Sequence, residues 1–174
     1  ALQGCEAGST LVVIVSKTFT TQETMANAER ALSWLRKELG DQAGAHLAAV
    51  TSNVEGAARM GIEESRVFGF GNWVGGRFSL WGPVGLAIAL GSGGKAFRAL
   101  LDGARAMDRH FQTAAAESNV PLHMALIEIW NVNALGMTSR VVVPYAQALH
   151  RVPAYLQQAE MESNGKAVGR DGRP

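Results

Sequence analysis

A loop rich in hydroxyl groups follows the first apolar run of the sequence. The stretch "VVIVSKTFTTQET", residues 12–24, joins four branched apolar residues to a serine, a lysine and four threonines. A strand, a turn and a helix in this order place backbone N–H and hydroxyl donors at a helix N-terminus, which favours an anion such as phosphate. The donors predicted to bind it are Ser16, Thr18, Thr21 and Thr24, with Lys17 as a nearby charge. The alternative is that Thr20 or Thr21 only caps the helix and the other hydroxyls face water.

A second polar group follows paired glycines in "NWVGGRFSLW", residues 72–81. Glycines let the backbone approach a ligand closely, and Arg77 projects a planar cation from the turn. Because arginine keeps its charge, it could stabilise a developing enediolate or bind phosphate. The alternative is a tight turn with Arg77 on the surface and both tryptophans in the core.

A third group is the pair of carboxylates in "QQAEMESNGK", residues 157–166. Glu160 and Glu162 lie at a predicted helix end before a polar turn. A carboxylate held in a partly desolvated pocket suits reversible proton abstraction beside a carbonyl. The alternative is a solvated helix end without chemical function.

The first third of the chain has the sequence pattern of alternating strands and helices, which must position the first two of these groups. "TLVVIVS" is a branched run typical of a parallel strand, and residues 21–39 have helical spacing with a stop at Gly40. "HLAAVTS" and "RVFGF" predict two further short strands. The first third of the chain is therefore predicted to be α/β, and the fold class to be a parallel sheet layered with helices.

The rest of the chain is predicted to be mainly helical. "GPVGLAIALGSG", "KAFRALLDGARAMDRHFQTA" and "VPLHMALIEIWNVNALG" have the composition of three helices. "SRVVVPYA" predicts another strand, and "QALHRVPAYLQQAEM" a helix interrupted near Pro153. The chain is thus predicted to comprise an α/β part, a helical part and the start of a second α/β layer.

Composition limits the classes of partner. Sixteen basic residues nearly balance 15 acidic ones, so no strong overall field recruits nucleic acid or an anionic membrane. The first ten residues contain no signal-peptide pattern, and no apolar stretch is long enough to cross a bilayer. The single cysteine, Cys5, excludes an internal disulfide. We therefore expect a cytoplasmic protein.

Three segments in the same order resemble the phosphoglucose isomerase family: "SKTFTTQET", "WVGGRFSLW" and "MESNGK". The similarity runs over nearly all of the chain. It implies a fold of two sugar-isomerase (SIS) domains, each a parallel sheet between helices, of which this chain holds an incomplete part. It also implies a homodimeric enzyme of glycolysis and gluconeogenesis, which interconverts glucose 6-phosphate and fructose 6-phosphate without a metal or organic cofactor.

The resemblance also implies roles for individual residues. Ser16, Lys17, Thr18, Thr21 and Thr24 would form the phosphate loop. Arg77 would stabilise a cis-enediolate, Gln158 would contact the sugar, and Glu162 would carry the proton between C1 and C2. Glu23 would orient a ring-opening histidine.

Two groups of the family's site have no match in this chain. The ring-opening histidine belongs to a later segment and comes from the neighbouring subunit, and a lysine belongs to the family's carboxyl terminus. None of the four histidines lies in the matching context, and His150 is interpreted as structural. We therefore expect a central fragment that is inactive alone. It would hold the second part of one SIS domain (residues 1–80), connecting helices (81–138) and the start of the next (139–174).

A non-catalytic SIS module that binds sugar phosphates is the alternative function. It would share the hydroxyl loop but would not need Arg77 and Glu162 together, so the two motifs favour the enzyme.

Overall fold

A computed structural model describes residues 2–162 and 164–173, except for the side chain of Glu162. The chain divides into two compact units, residues 1–101 and 102–174, described separately below. The strands and α-helices are β1 (Val12–Val15), α1 (Gln22–Leu39), β2 (Leu47–Thr51), α2 (Val54–Arg59), β3 (Val67–Gly69), α3 (Leu86–Ser92), α4 (Gly94–Thr113), α5 (Val120–Ile129) and α6 (Val152–Leu156). Two 3-10 helices (Gly40–His46 and Gly76–Trp81) and two π-helices (Trp130–Ala134 and Gln157–Glu162) also matter below.

The described part of the first unit contains a parallel sheet in the order β1, β2, β3. Val12 pairs with Leu47 across the first ladder, and Ala49 pairs with Val67 across the second. The three predicted strands are therefore confirmed, as is the α/β fold class. Because the strands are parallel, the residues that follow each of them lie at one edge of the sheet, which is the usual place for a ligand in this type of fold.

Helix α1 has the ends that the sequence predicts. Thr21 is its N-cap residue, with extended backbone, and Gly40 is its C-cap residue, with φ of 59°. This left-handed conformation is one that glycine adopts without steric cost, so Gly40 ends the helix cleanly. The buried face of the helix comprises Ala28, Ala31, Leu32 and Leu35.

The hydrophobic core of the first unit lies between the sheet and its helices. β2 is buried at all five positions, as expected for a central strand covered on both faces. Leu35 of α1 and Leu47 of β2 are completely buried in the same cluster, together with Ala57 of α2. The core thus packs α1 against the sheet, and this packing positions the loops at the carboxyl edge of the sheet.

Helix α2 is a short element that the sequence analysis did not predict. It begins after Asn53, whose side-chain oxygen accepts a hydrogen bond of 2.9 Å from the Gly56 amide. In the segment "TSN", Thr51 therefore ends β2 and Asn53 caps α2.

The second unit holds the rest of α4, then α5 and α6, the last two continuing into π-helices. The predicted strand over residues 139–146 is wrong, since these residues have no regular secondary structure. A strand needs a hydrogen-bonded neighbour, and Val141 is instead 79% exposed. Other large apolar side chains of this unit, such as Ile127 and Trp130, are also exposed.

None of the helices in the described residues is long and apolar enough to span a membrane.

Candidate active site

The hydroxyl turn between β1 and α1 is a compact hydrogen-bonded structure. Ser16 is buried directly after β1, and its Oγ lies 3.2 Å from Thr21 Oγ1. The same Oγ accepts a hydrogen bond of 3.1 Å from the Phe19 amide. Phe19 is buried and has a positive φ of 56°, which is uncommon for a bulky residue and marks a tightly constrained turn. The predicted phosphate-loop residues from Ser16 to Thr21 therefore lie together in one constrained turn.

The N-terminus of α1 follows this turn directly. Thr21 makes no side-chain cap hydrogen bond, so the alternative that it serves only as a side-chain cap finds no support. Thr20 Oγ1 donates instead to Thr18 Oγ1, at 2.7 Å. Glu23 and Thr24 lie in the first turn of α1, Glu23 exposed and Thr24 half-buried. The turn combines several hydroxyl groups with the positive end of an 18-residue helix, a combination that can bind a phosphate.

The end of β2 anchors the hydroxyl turn. Ser52 Oγ and Thr51 Oγ1 donate to the carbonyl oxygen of Lys17, at 2.7 and 3.0 Å, and the Ser52 amide donates to the same oxygen at 3.0 Å. Asn53 Nδ2 donates to the carbonyl oxygen of Thr18, at 2.9 Å. The sequence analysis did not identify these three residues. The signal that could have identified them is the polar segment "TSN" at the end of β2. This strand is the neighbour of β1, which leads into the hydroxyl turn.

The side chain of Lys17 contacts the loop that follows β3. Its Nζ donates to the carbonyl oxygens of Asn72 and Val74, at 2.7 and 2.8 Å. These acceptors belong to the loop between β3 and the 3-10 helix Gly76–Trp81. The structure therefore connects the first and second predicted motifs.

Arg77 lies in the 3-10 helix Gly76–Trp81 and is exposed. The alternative interpretation placed the two tryptophans of this segment in the core, but Trp73 is 90% exposed and Trp81 is 44% exposed. An exposed guanidinium at the carboxyl edge of a parallel sheet can reach an anionic ligand.

Gln158 and Glu162 share the π-helix Gln157–Glu162 of the second unit. Gln158 is exposed, while the side chain of Glu162 lies outside the described part of the structure. Between them, Glu160 forms an ion pair with Arg140, which also binds Glu128 at 2.9 Å. The carboxylate of Glu160 therefore takes part in an ion pair at the surface. π-Helical turns are rare and occur often at functional sites.

Each of the four histidines is within hydrogen-bond distance of a main-chain group. A ring nitrogen lies within hydrogen-bond distance of a nearby main-chain group in His46 (Thr10), His110 (Val120), His123 (Ala116) and His150 (Gln147). Among the residues that the structure describes, no group of three or more acidic, histidine or cysteine side chains is arranged to hold a metal ion.

Comparisons with known proteins agree over the whole chain. The family model of phosphoglucose isomerase matches residues 1–174. Glucose-6-phosphate isomerase of a Ruegeria species is 53% identical over 99% of this chain, and that of Leptothrix cholodnii is 57% identical over 94%. The chain spans only 32% and 30% of these two relatives.

A solved structure supports the fold independently. The crystal structure of a hypothetical protein from Thermus thermophilus matches 99% of this chain with a TM-score of 0.79 and 33% identity. The match covers 40% of that protein. Taken with the family match over residues 1–174, these similarities show that the chain belongs to the phosphoglucose isomerase family.

Proposed function

We propose that this chain is part of an aldose–ketose isomerase that interconverts glucose 6-phosphate and fructose 6-phosphate in glycolysis and gluconeogenesis. The observation that supports this most is the family match over all 174 residues. The hydroxyl turn at the carboxyl edge of the sheet adds a physical reason, since it has the donors that a phosphate requires.

The phosphate of the substrate would bind at the hydroxyl turn. Thr18 and Thr21 are exposed, and Thr24 is half-buried in the first turn of α1. Hydroxyl donors make strong hydrogen bonds to a charged phosphate, and the N-terminus of α1 adds a favourable dipole. Ser16 is buried and already bonded within the turn, so it would shape the site as well as line it.

The reaction would move one proton between adjacent carbons. Glu162 would take the proton from C2 of the open-chain aldose, leaving a cis-enediolate, and return it to C1, while the hydroxyl proton of O2 passes to O1 to give the ketose. Arg77 would stabilise the negative charge of the enediolate without exchanging protons itself. No electrons leave the substrate, so the chemistry needs no redox cofactor, and Arg77 would supply the positive charge that a metal ion could otherwise provide.

The remaining predicted site residues would bind and open the sugar. Gln158 would contact the substrate, and Glu23 would orient a ring-opening histidine supplied by the neighbouring subunit of a homodimer. In this proposal residues 1–80 complete one SIS domain, residues 81–138 connect it to the next, and residues 139–174 begin the second. The single cysteine is consistent with a cytoplasmic enzyme.

The test uses the full-length enzyme that contains this chain. Purified protein is incubated with glucose 6-phosphate, and fructose 6-phosphate is measured directly by chromatography. Turnover supports the isomerase. Binding of hexose 6-phosphate without conversion would instead indicate the non-catalytic sugar-phosphate-binding module.

A further inference from the structure

The ammonium group of Lys17 is directed at a backbone loop. Its Nζ lies 2.7 Å from the carbonyl oxygen of Asn72 and 2.8 Å from that of Val74. An ammonium group has three N–H donors, so two of them are committed to these carbonyls. Both acceptors belong to the backbone, so the contact does not depend on the Asn72 side chain.

The loop that Lys17 binds leads directly to Arg77. It runs from the end of β3 through Asn72 and Val74 to the 3-10 helix Gly76–Trp81. This loop, residues 70–75, is called the Arg77 loop below. Within it, the Val74 amide donates to the carbonyl oxygen of Gly71 at 3.0 Å, while Asn72 and Trp73 are exposed. Hydrogen bonds from a charged donor are about twice as strong as neutral ones. Two such bonds therefore fix the path of an otherwise exposed loop three residues before Arg77.

The backbone of Lys17 is fixed from the opposite side. Its carbonyl oxygen accepts hydrogen bonds from Thr51 Oγ1, Ser52 Oγ and the Ser52 amide. The end of β2 thus holds the main chain of Lys17, and its side chain holds the loop that follows β3. Lys17 connects the turn proposed to bind phosphate with the loop that leads to Arg77.

We propose that Lys17 is a positioning residue for Arg77, and that its charge serves the Arg77 loop more than the phosphate. This inference rests on the proposed isomerase function. Removing the side chain would release the loop and displace the guanidinium from the place where charge develops in the transition state. The substitution would therefore lower kcat, while the hydroxyl groups and the N-terminus of α1 would continue to bind phosphate.

The experiment measures turnover and phosphate binding separately in the full-length enzyme. Lys17→Met should lower kcat by about 10- to 100-fold, because a displacement near 1 Å can cost this much. The inhibition constant of inorganic phosphate, competing with hexose 6-phosphate, should stay unchanged. Lys37→Met, which removes an exposed lysine from α1, is the matched control and should change neither quantity.

A charge-preserving variant and a double-mutant cycle complete the test. Lys17→Arg keeps the charge and is used if Lys17→Met does not fold. It should retain phosphate binding but lose turnover, since a planar guanidinium on a longer side chain places its donors differently from the ammonium group. In an Arg77→Ala background, Lys17→Met should cost little more, because both changes remove one shared contribution.

Three results would overturn the inference: weaker phosphate inhibition with unchanged kcat, unchanged values for both quantities, or fully additive effects of Lys17→Met and Arg77→Ala. Failure of the function itself is seen separately, since the parent enzyme would then show no isomerisation.

Discussion

Ser16 Oγ and Thr21 Oγ1 lie 3.2 Å apart, which joins the residue that follows β1 to the residue that caps α1. This contact closes the turn so that the end of a strand and the start of a helix share one small polar surface. The Ser16 hydroxyl also accepts from the Phe19 amide, so the turn is organised before any ligand arrives. A preorganised group of donors binds an anion at lower entropic cost than a mobile loop does.

The first prediction concerns the hydroxyl groups of this turn. In the full-length enzyme, replacing Thr18 and Thr21 together by Val should raise KM for glucose 6-phosphate on the order of 100-fold, because two hydrogen bonds to a charged group are lost. Steady-state kinetics measures the change. Thr113→Val is the control, since that hydroxyl donates only to the Arg109 carbonyl within α4. An unchanged KM in a folded double variant would refute phosphate binding by these hydroxyls.

The second prediction is that the 174-residue chain alone does not isomerise glucose 6-phosphate. Each of its four histidines lies within hydrogen-bond distance of a main-chain group, and in the proposed mechanism the ring-opening histidine comes from the neighbouring subunit. The purified chain should give no turnover above buffer in an assay coupled to a dehydrogenase. Turnover comparable to that of a full-length relative would show that the site needs no further groups.

The third prediction concerns the core that positions the hydroxyl turn. Leu47 is completely buried at the start of β2, so Leu47→Ala should lower the free energy of unfolding by about 2–5 kcal/mol. The midpoint of urea unfolding of the full-length enzyme, followed by circular dichroism, measures this change. Leu11→Ala, at a half-exposed position before β1, should shift the midpoint much less. Equal shifts would contradict the packing described for β2.

Much of the first unit could be predicted because its signals are local. The branched run of β1 and the Gly40 stop of α1 act within a few residues, and both predictions are confirmed. Helix α2 was missed because it has only six residues, and its Asn53 cap looked like the end of a strand.

Two other features depend on residues far apart in the chain. "VVV" at residues 141–143 has strand propensity, but a strand forms only where a neighbouring strand supplies its hydrogen bonds. The contact between Lys17 and Asn72 spans 55 residues, and nothing local in the sequence indicates it. The lysine could therefore be predicted as a charge near a phosphate, but not as a link to the Arg77 loop.

The fourth prediction separates two neighbouring carboxylates. Glu162→Gln keeps the size of the side chain but cannot accept a proton, and loss of a general base typically costs about 10²–10⁴-fold in rate. Glu160→Gln is the matched control. Glu160 pairs with Arg140 at the surface, where an ion pair contributes only about 0–1 kcal/mol, and an amide oxygen can still accept a hydrogen bond. Turnover of the Glu160 variant should therefore stay near that of the parent.

The fate of deuterium at C2 of glucose 6-phosphate tests the proposed proton transfer most directly. In the parent enzyme and in Glu160→Gln, the label should move to C1 or exchange with solvent, as measured by NMR. In Glu162→Gln both processes should vanish, while phosphate still competes for the site. Movement of the label at the parental rate in Glu162→Gln would mean that another group carries the proton, and would contradict the mechanism proposed for this enzyme.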